Sequence, residues 1–255
     1  MRVFLPLIVL AALCVFAQSV SWSQASKKDG AGKEVQDPLA GIRAKLERIG
    51  VVHALPERAS GPGGPTPVLT EPMGELPSGE ERYEILDAVE EELRRVMEAQ
   101  PSAEAYHLLG VTRLLQLDPD RAASAFRTAL ELEGPSQERY NHLITALIEA
   151  NRLDDARNTA EEYIQAFPKD ELQGLSMLCN ISLYAMDAQA MEKAAQHMLK
   201  LDPNNLDALI TLASAEAVRG DWEEAERKFQ AIASRHPEIE EELELLKERL
   251  FVLQP

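Results

Sequence analysis

From Ser78 to the C-terminus, apolar residues recur at three- and four-residue steps, the spacing that puts side chains on one face of an α-helix. Ser78 with Glu81 three residues later reads as a capping box, so residues 78–102 are predicted to hold a leading helix that runs to about Gln100, where Pro101 stops it. Beyond it the pattern itself repeats. Tyr106, Tyr140, Leu175 and Leu209 are separated by 34, 35 and 34 residues, and the same steps relate Leu109, Leu143, Leu178 and Leu212. They also relate Ala122, Ala156, Met191 and Ala225, and again Phe126, Ala160, Ala195 and Phe229. A proline closes each period, at Pro135, Pro168, Pro203 and Pro237. A period of this length holding two helical segments predicts an all-α, helix-turn-helix solenoid of four hairpins: 103–136, 137–171, 172–205 and 206–237. Residues 238–255 continue as a capping helix, with Ile239, Leu243, Leu246 and Leu250 on one side and glutamates on the rest.

Packing chemistry accounts for the ladders. Two helices of a hairpin cross closely only where side chains are small, which Gly110, Ala122, Ala213 and Ala225 supply, while Tyr106, Phe126 and Phe229 fill the space to the next hairpin. Each hairpin has an apolar face it cannot bury alone, so neighbours must stack.

These residues resemble the tetratricopeptide repeat family over about Ala103 to Pro237. Tyr106, Leu109, Gly110, Ala122, Phe126 and Ala129 fill the family's signature places in the first unit, and Leu209, Leu212, Ala213, Gly220, Ala225, Phe229 and Pro237 do so in the fourth. The second unit departs at Ile144 and Tyr163, and the third at Cys179, Met191 and Met198. The resemblance implies a concave surface lined by the first helix of each hairpin. By the repeat register it would show His107, Val111, Leu114, Asn141, Thr145, Ile148, Asn180, Tyr184, Ile210, Ser214 and Ala217. Asn141 and Asn180 are expected to hydrogen-bond an extended peptide backbone, since an amide both donates and accepts. With no Lys or Arg in that set, the carboxylate clamp of some family members is missing.

The N-terminal third reads differently. Residues 3–17 form an apolar run behind Arg2, followed by small and polar residues, which is the form of a secretory signal with cleavage expected after Ala25 and a cut after Ser19 as second choice. The rival reading is an uncleaved membrane anchor; the run is short for a bilayer span and Pro6 interrupts it. Residues 26–77 are expected to be a flexible Pro/Gly-rich segment, clearest at Gly61-Pro62-Gly63-Gly64-Pro65. Within it Leu39, Ile42, Leu46 and Ile49 share a helical face able to dock on the body of the protein. A chain starting at Ser78 is expected to keep a cooperative fold.

Charge and chemistry narrow the functions. The formal net charge is −17, and loss of residues 1–25 removes Arg2 and no acidic residue, giving −18, which leaves little reason to bind nucleic acid or an anionic membrane through a charged face. Cys179 is then the one cysteine left, at a small-residue crossing position, and is expected to be buried and inert. No His-Glu-x-x-His motif, Gly-x-Ser-x-Gly elbow or phosphate-binding Gly-rich loop occurs, so no catalytic residue, metal ligand or cofactor is assigned. His53, His107, His142, His197 and His236 are read as scattered surface or boundary residues. The runs at Glu90–Glu92 and Glu240–Glu242 are read as solvated helix faces, and Asn180-Ile181-Ser182 as a chance glycosylation sequon within a helix.

The expected function is an exported protein-protein interaction scaffold, periplasmic or extracellular, that binds a peptide or protein partner in envelope or secretion-complex assembly. A structural or oligomerising module, with its groove filled by residues 26–79 or by a second copy, is the alternative. Any membrane link would run through the leader alone.

Overall fold

The computed structural model describes residues 37–49 and 79–252, which are all-α, with no strand among the described residues. The expected signal, the proline-rich stretch and His53 lie outside them. Eleven α-helices follow in order: α1 (Ala40–Arg48), α2 (Gly79–Ala99), α3 (Ala103–Leu115), α4 (Pro119–Glu133), α5 (Gln137–Glu149), α6 (Leu153–Ala166), α7 (Glu171–Tyr184), α8 (Ala188–Leu201), α9 (Leu206–Arg219), α10 (Trp222–Arg235) and α11 (Glu240–Val252). Short 3-10 turns at Pro168–Asp170 and Pro237–Ile239 lead into α7 and α11. None of these helices is long and apolar enough to cross a membrane. The chain divides into two compact units, one ending at Ala150 and the other beginning at Asn151.

In the first unit α1 packs on α2, α2 on α3, α3 pairs with α4, and α5 packs against α4 while touching α3. Leu39, Ile42, Leu46 and Ile49 are all buried. Arg43 bonds Glu104 of α3, and Lys45 pairs with Glu92 of α2. The short helix ahead of Ser78 therefore contributes to the core of the first unit. Each apolar side chain buried this way is worth roughly 1.5–3 kcal/mol before the entropy of ordering it.

In the second unit α6 packs on α7, α7 pairs with α8, α8 packs on α9, and α9 pairs with α10 and touches α7 and α11. Its core holds Ala213, Ala217, Ala225, Phe229, Ile232, Leu243 and Leu250, and a neighbouring cluster holds Leu175, Cys179, Ala194, Ala195, Met198 and Ala208. The terminal helix is less polar outside than a cap requires: Leu245, Phe251 and Val252 are exposed, and Phe251 meets Trp222 edge-on with ring centroids 5.8 Å apart.

Two of the ladders lie wholly in the core, while Tyr106, Leu178, Leu209 and Leu212 of the other two are half-buried. Ala122, Ala156, Met191 and Ala225 are each fully buried, as are Phe126, Ala160 and Ala195, with Phe229 at 2%. Gly110 shows how close the crossing is, because a Cβ placed there would lie 2.5 Å from the Phe126 ring. Tyr163, bulky where the repeat pattern has a small residue, is still 1% exposed. Gly174 on the facing α7 makes the room: a Cβ there would come 2.3 Å from Ile164 Cγ1 and 3.2 Å from Tyr163 Cδ1.

A further ladder is written in the backbone. Within two residues of the end of each hairpin's first helix one residue has a positive φ: Leu117 (φ 61°), Asn151 (57°), Met186 (52°) and Gly220 (89°). The next residue caps the second helix, and the side chains of Asp118, Asp187 and Asp221 accept the backbone N–H of Arg121, Ala190 and Glu224. Arg152 fills the fourth place and has no oxygen with which to cap. An aspartate at these places turns the chain and stabilises the helix start at once.

Candidate functional site

The first helices of the hairpins are α3, α5, α7 and α9, and the eleven sequence-predicted groove residues lie on them. In the first unit, Val111 is fully buried, Leu114 is 4% exposed and His107 is 5% exposed, so these three are core residues and not groove lining. Asn141, Thr145 and Ile148 are half-buried, and the Thr145 hydroxyl donates to the Asn141 carbonyl one turn back. In the second unit Ser214 is buried and donates to the Ile210 carbonyl, and Ala217 is buried too. Ile210 is half-buried against the Phe229 core. Asn180 and Tyr184, one turn apart on α7, are exposed, Tyr184 at 52%.

The physical reason for the correction is the width of the buried stripe. A first helix in this architecture meets its own partner helix and those of neighbouring hairpins, so an arc wider than one face is covered. The sequence register marks the helix but not how far round burial extends.

The larger surprise is chemical. His107 of α3 and His142 of α5 are buried residues rather than surface or boundary ones, with ring centroids 5.0 Å apart, and each lies 5.4 Å from the Phe126 ring. Glu138, one turn before His142 on α5, brings its Oε1 to 3.6 Å from His107 Nε2. Burial holds His142 down at about 4 and keeps His107 well below the ordinary imidazole range, with His142 and Arg139 adding to the effect on His107. Burial likewise pushes the Glu138 carboxyl up to about 7, opposed by Arg139 and reinforced by Glu104. At neutral pH both rings are uncharged.

The remaining groups behave as ordinary structure. Cys179 is buried, 3.6 Å from the Met198 sulfur, and burial raises its thiol to about 11, so it is a poor nucleophile. His197 and His236 lie at the surface beside Glu171 and Glu238. Sequence reasoning missed the histidine cluster because His107 and His142 do not share a ladder: the partner of His107 in the 34-residue register is Asn141. The available signal was the four-residue step from Glu138 to His142, which puts both on one face of α5.

Successive antiparallel helix pairs with a small-residue crossing and a period of 34 define a helical-repeat protein. Residues 113–176 match the family model described as tetratricopeptide repeat, and the paired-helix architecture of the described residues agrees with that match. A solved tetratricopeptide repeat protein from Parabacteroides merdae superposes with a TM-score of 0.52 at 18% identity, covering 67% of this chain and 71% of that one. The P58(IPK) TPR domain overlaps less well, with a TM-score of 0.34 at 17% identity over 68% of this chain and 55% of that one. Among curated proteins, a pentatricopeptide repeat-containing protein of Arabidopsis thaliana is 32% identical over 91 residues, 36% of this chain. The chain spans 12% of that protein's length.

Proposed function

We propose that this chain is an exported interaction scaffold, not a catalyst, and that it holds a peptide or protein partner on the first helices of its hairpins. The observation that carries the reading is the pair Asn180 and Tyr184, both exposed and one turn apart on α7. The amide can donate to and accept from an extended backbone, and the tyrosine offers a rigid apolar face of the kind that dominates such interfaces. Export rests on the apolar run at residues 3–17, and on that reading the partner belongs to the envelope or to a secretion complex.

A photo-crosslinking residue at Tyr184, in full-length chain expressed in its own cells, tests both parts. Cross-links from position 184 to one protein of the exported fraction, absent when the same residue replaces Gln230 on α10, are the expected result. Equal labelling from both positions would sink the inner-helix reading. Cross-links to residues 26–78 or to a second copy would instead support the self-occluded, oligomerising alternative. Retention of the chain in the cytoplasm would remove export while leaving the binding face in question to the cross-link itself.

A further inference from the structure

We infer that His107, Glu138 and His142 form a binding site for a divalent transition-metal ion, zinc being the ion whose ligand preferences they fit. The ligand atoms of the three side chains all lie within 4.8 Å of one another. Two imidazoles and one carboxylate are a recurrent zinc donor set, which leaves a fourth position for water or another ligand.

The geometry needs only side-chain movement. Zinc takes nitrogen and oxygen at about 2.0–2.2 Å, which sets neighbouring ligand atoms about 3.4 Å apart in a tetrahedron. The contact from His107 Nε2 to Glu138 Oε1 is already 3.6 Å. Rotation of the Glu138 side chain and small tilts of the two rings close the rest. All three residues stand on helices, Glu138 and His142 four apart on α5 and His107 across from them on α3, so the frame is rigid.

Protonation and access also suit the ion. A metal takes histidine neutral and carboxylate ionised. Both rings are buried, which favours the neutral form that a metal takes. Glu138 retains 29% side-chain exposure and so offers the route from solvent. The charged groups around the cluster are Glu104, ion-paired with Arg43, and Arg139, ion-paired with Glu133. Arg139 opposes a cation and Glu104 favours one, so the near-field balance rests on Glu138. Bound there, the ion would tie α3 to α5, the first helices of successive hairpins.

The alternative is that the rings serve only as aromatic filling beside Phe126, and the test separates the two. The full chain, stripped with a chelator, is titrated with zinc sulfate by calorimetry, and with cobalt(II) while the visible spectrum is followed. One zinc per chain, a melting temperature raised by zinc, and the intense visible bands of tetrahedral cobalt are expected. Glu138→Gln keeps the shape of a half-exposed side chain and is expected to weaken zinc binding at least tenfold. His142→Phe keeps the aromatic packing and is expected to abolish the cobalt bands. The double variant His197→Gln, His236→Gln is expected to bind as the parent does. Should His142→Phe not fold, Glu138→Gln decides alone. Binding unchanged in Glu138→Gln, or lost in the surface-histidine variant, or no zinc-dependent rise in melting temperature in the parent, overturns the inference.

Discussion

The hairpin α3–α4 of the first unit and the hairpin α9–α10 of the second carry a phenylalanine at the same repeat position, Phe126 and Phe229, yet surround it differently. Phe229 lies in an apolar core with Ala213, Ala217, Ala225 and Ile232. Phe126 lies against two imidazole rings, and the crossing residue opposite it is glycine, with no space for a methyl group. The repeat thus fixes where a large ring goes but not what it meets. In the first unit the ring is pressed onto the backbone of α3 and polar rings fill the remaining volume; in the second the crossing residue is Ala213 and apolar side chains fill it. Two solutions to one packing problem differ in tolerance to change, and also in chemistry.

The sharpest way to probe the difference is truncation. Phe126→Ala is expected to cost about 3–5 kcal/mol, the usual range for a fully buried aromatic, and Phe229→Ala a similar amount. They should part in what the vacated space does. The cavity left at Phe126 is lined by two imidazoles able to hydrogen-bond water, whereas the one at Phe229 is apolar and stays dry. Urea unfolding gives the cost, and a crystal structure of each variant shows the presence or absence of ordered water; water in both cavities, or in neither, would erase the contrast.

Next in size is Gly110→Ala. Alanine is the better helix former by about 0.8–1.0 kcal/mol, so on local propensity the change stabilises α3. The new methyl would sit 2.5 Å from a Phe126 ring that is itself fully buried, so the expected outcome is a net loss of roughly 1–3 kcal/mol. At the matching place in the second unit, Ala213→Gly is expected to lose about 1 kcal/mol from propensity alone, making the two substitutions unfavourable in opposite chemical directions. A rise in melting temperature for Gly110→Ala would mean that the α3–α4 crossing is looser than described.

A smaller effect follows from titration. The buried titratable groups of the second unit, Cys179 and Tyr163, are pushed upward by burial and stay neutral through the acid and neutral range. In the first unit burial pushes Glu149 of α5 up to about 7 from an ordinary 4.5. A carboxyl raised in the folded state binds its proton more tightly there than in the unfolded chain. The stability it contributes is present below about pH 4.5 and is lost as pH rises through about 7. Glu149→Gln removes that slope and should stabilise the protein at pH 8, by about 1 kcal/mol or less once screening by solvent is allowed for. Melting curves between pH 5 and 8 check it, and an identical slope in the variant would place the pH response elsewhere.

Much of this was legible beforehand because it is periodic. Ala122 to Ala225 and Phe126 to Phe229 recur at steps of 34 or 35 residues, and these recurrent residues are buried in every hairpin. What escaped was aperiodic or rotational. His107 and His142 are out of register by one residue, so no ladder joined them, and only the α3–α5 packing brings their rings together. The groove residues of α3 failed on angle: Val111 and Leu114 lie on the intended helix, but more of α3 is covered than a single binding face would leave. Gly174 escaped because its role is defined by Tyr163 and Ile164 on another helix, which compensates a departure that looked like a weakness of the second repeat. The docking of α1 was visible as an amphipathic patch, while its weight in the core was not.

The smallest effect concerns the one turn that breaks the capping ladder. Asp118, Asp187 and Asp221 each accept a backbone N–H at the start of the following helix, whereas Arg152 at the corresponding place before α6 cannot. Arg152 instead bonds Asp155 at 2.8 Å, an exposed pair worth about 0–1 kcal/mol. Introducing aspartate would restore the acceptor but add a third negative charge beside Asp154 and Asp155, which already occupy the first turn. Arg152→Asn supplies the acceptor without the charge, and a side-chain cap is worth about 1 kcal/mol. After subtracting the lost pair, the expected gain is roughly 0.5 kcal/mol, read as a small rise in melting temperature that persists at high salt, where the Arg152–Asp155 pair is screened in the parent. A gain that appears only at low salt would point to charge relief in place of capping, and a loss would show that the ion pair, and not the missing cap, is what holds the start of α6.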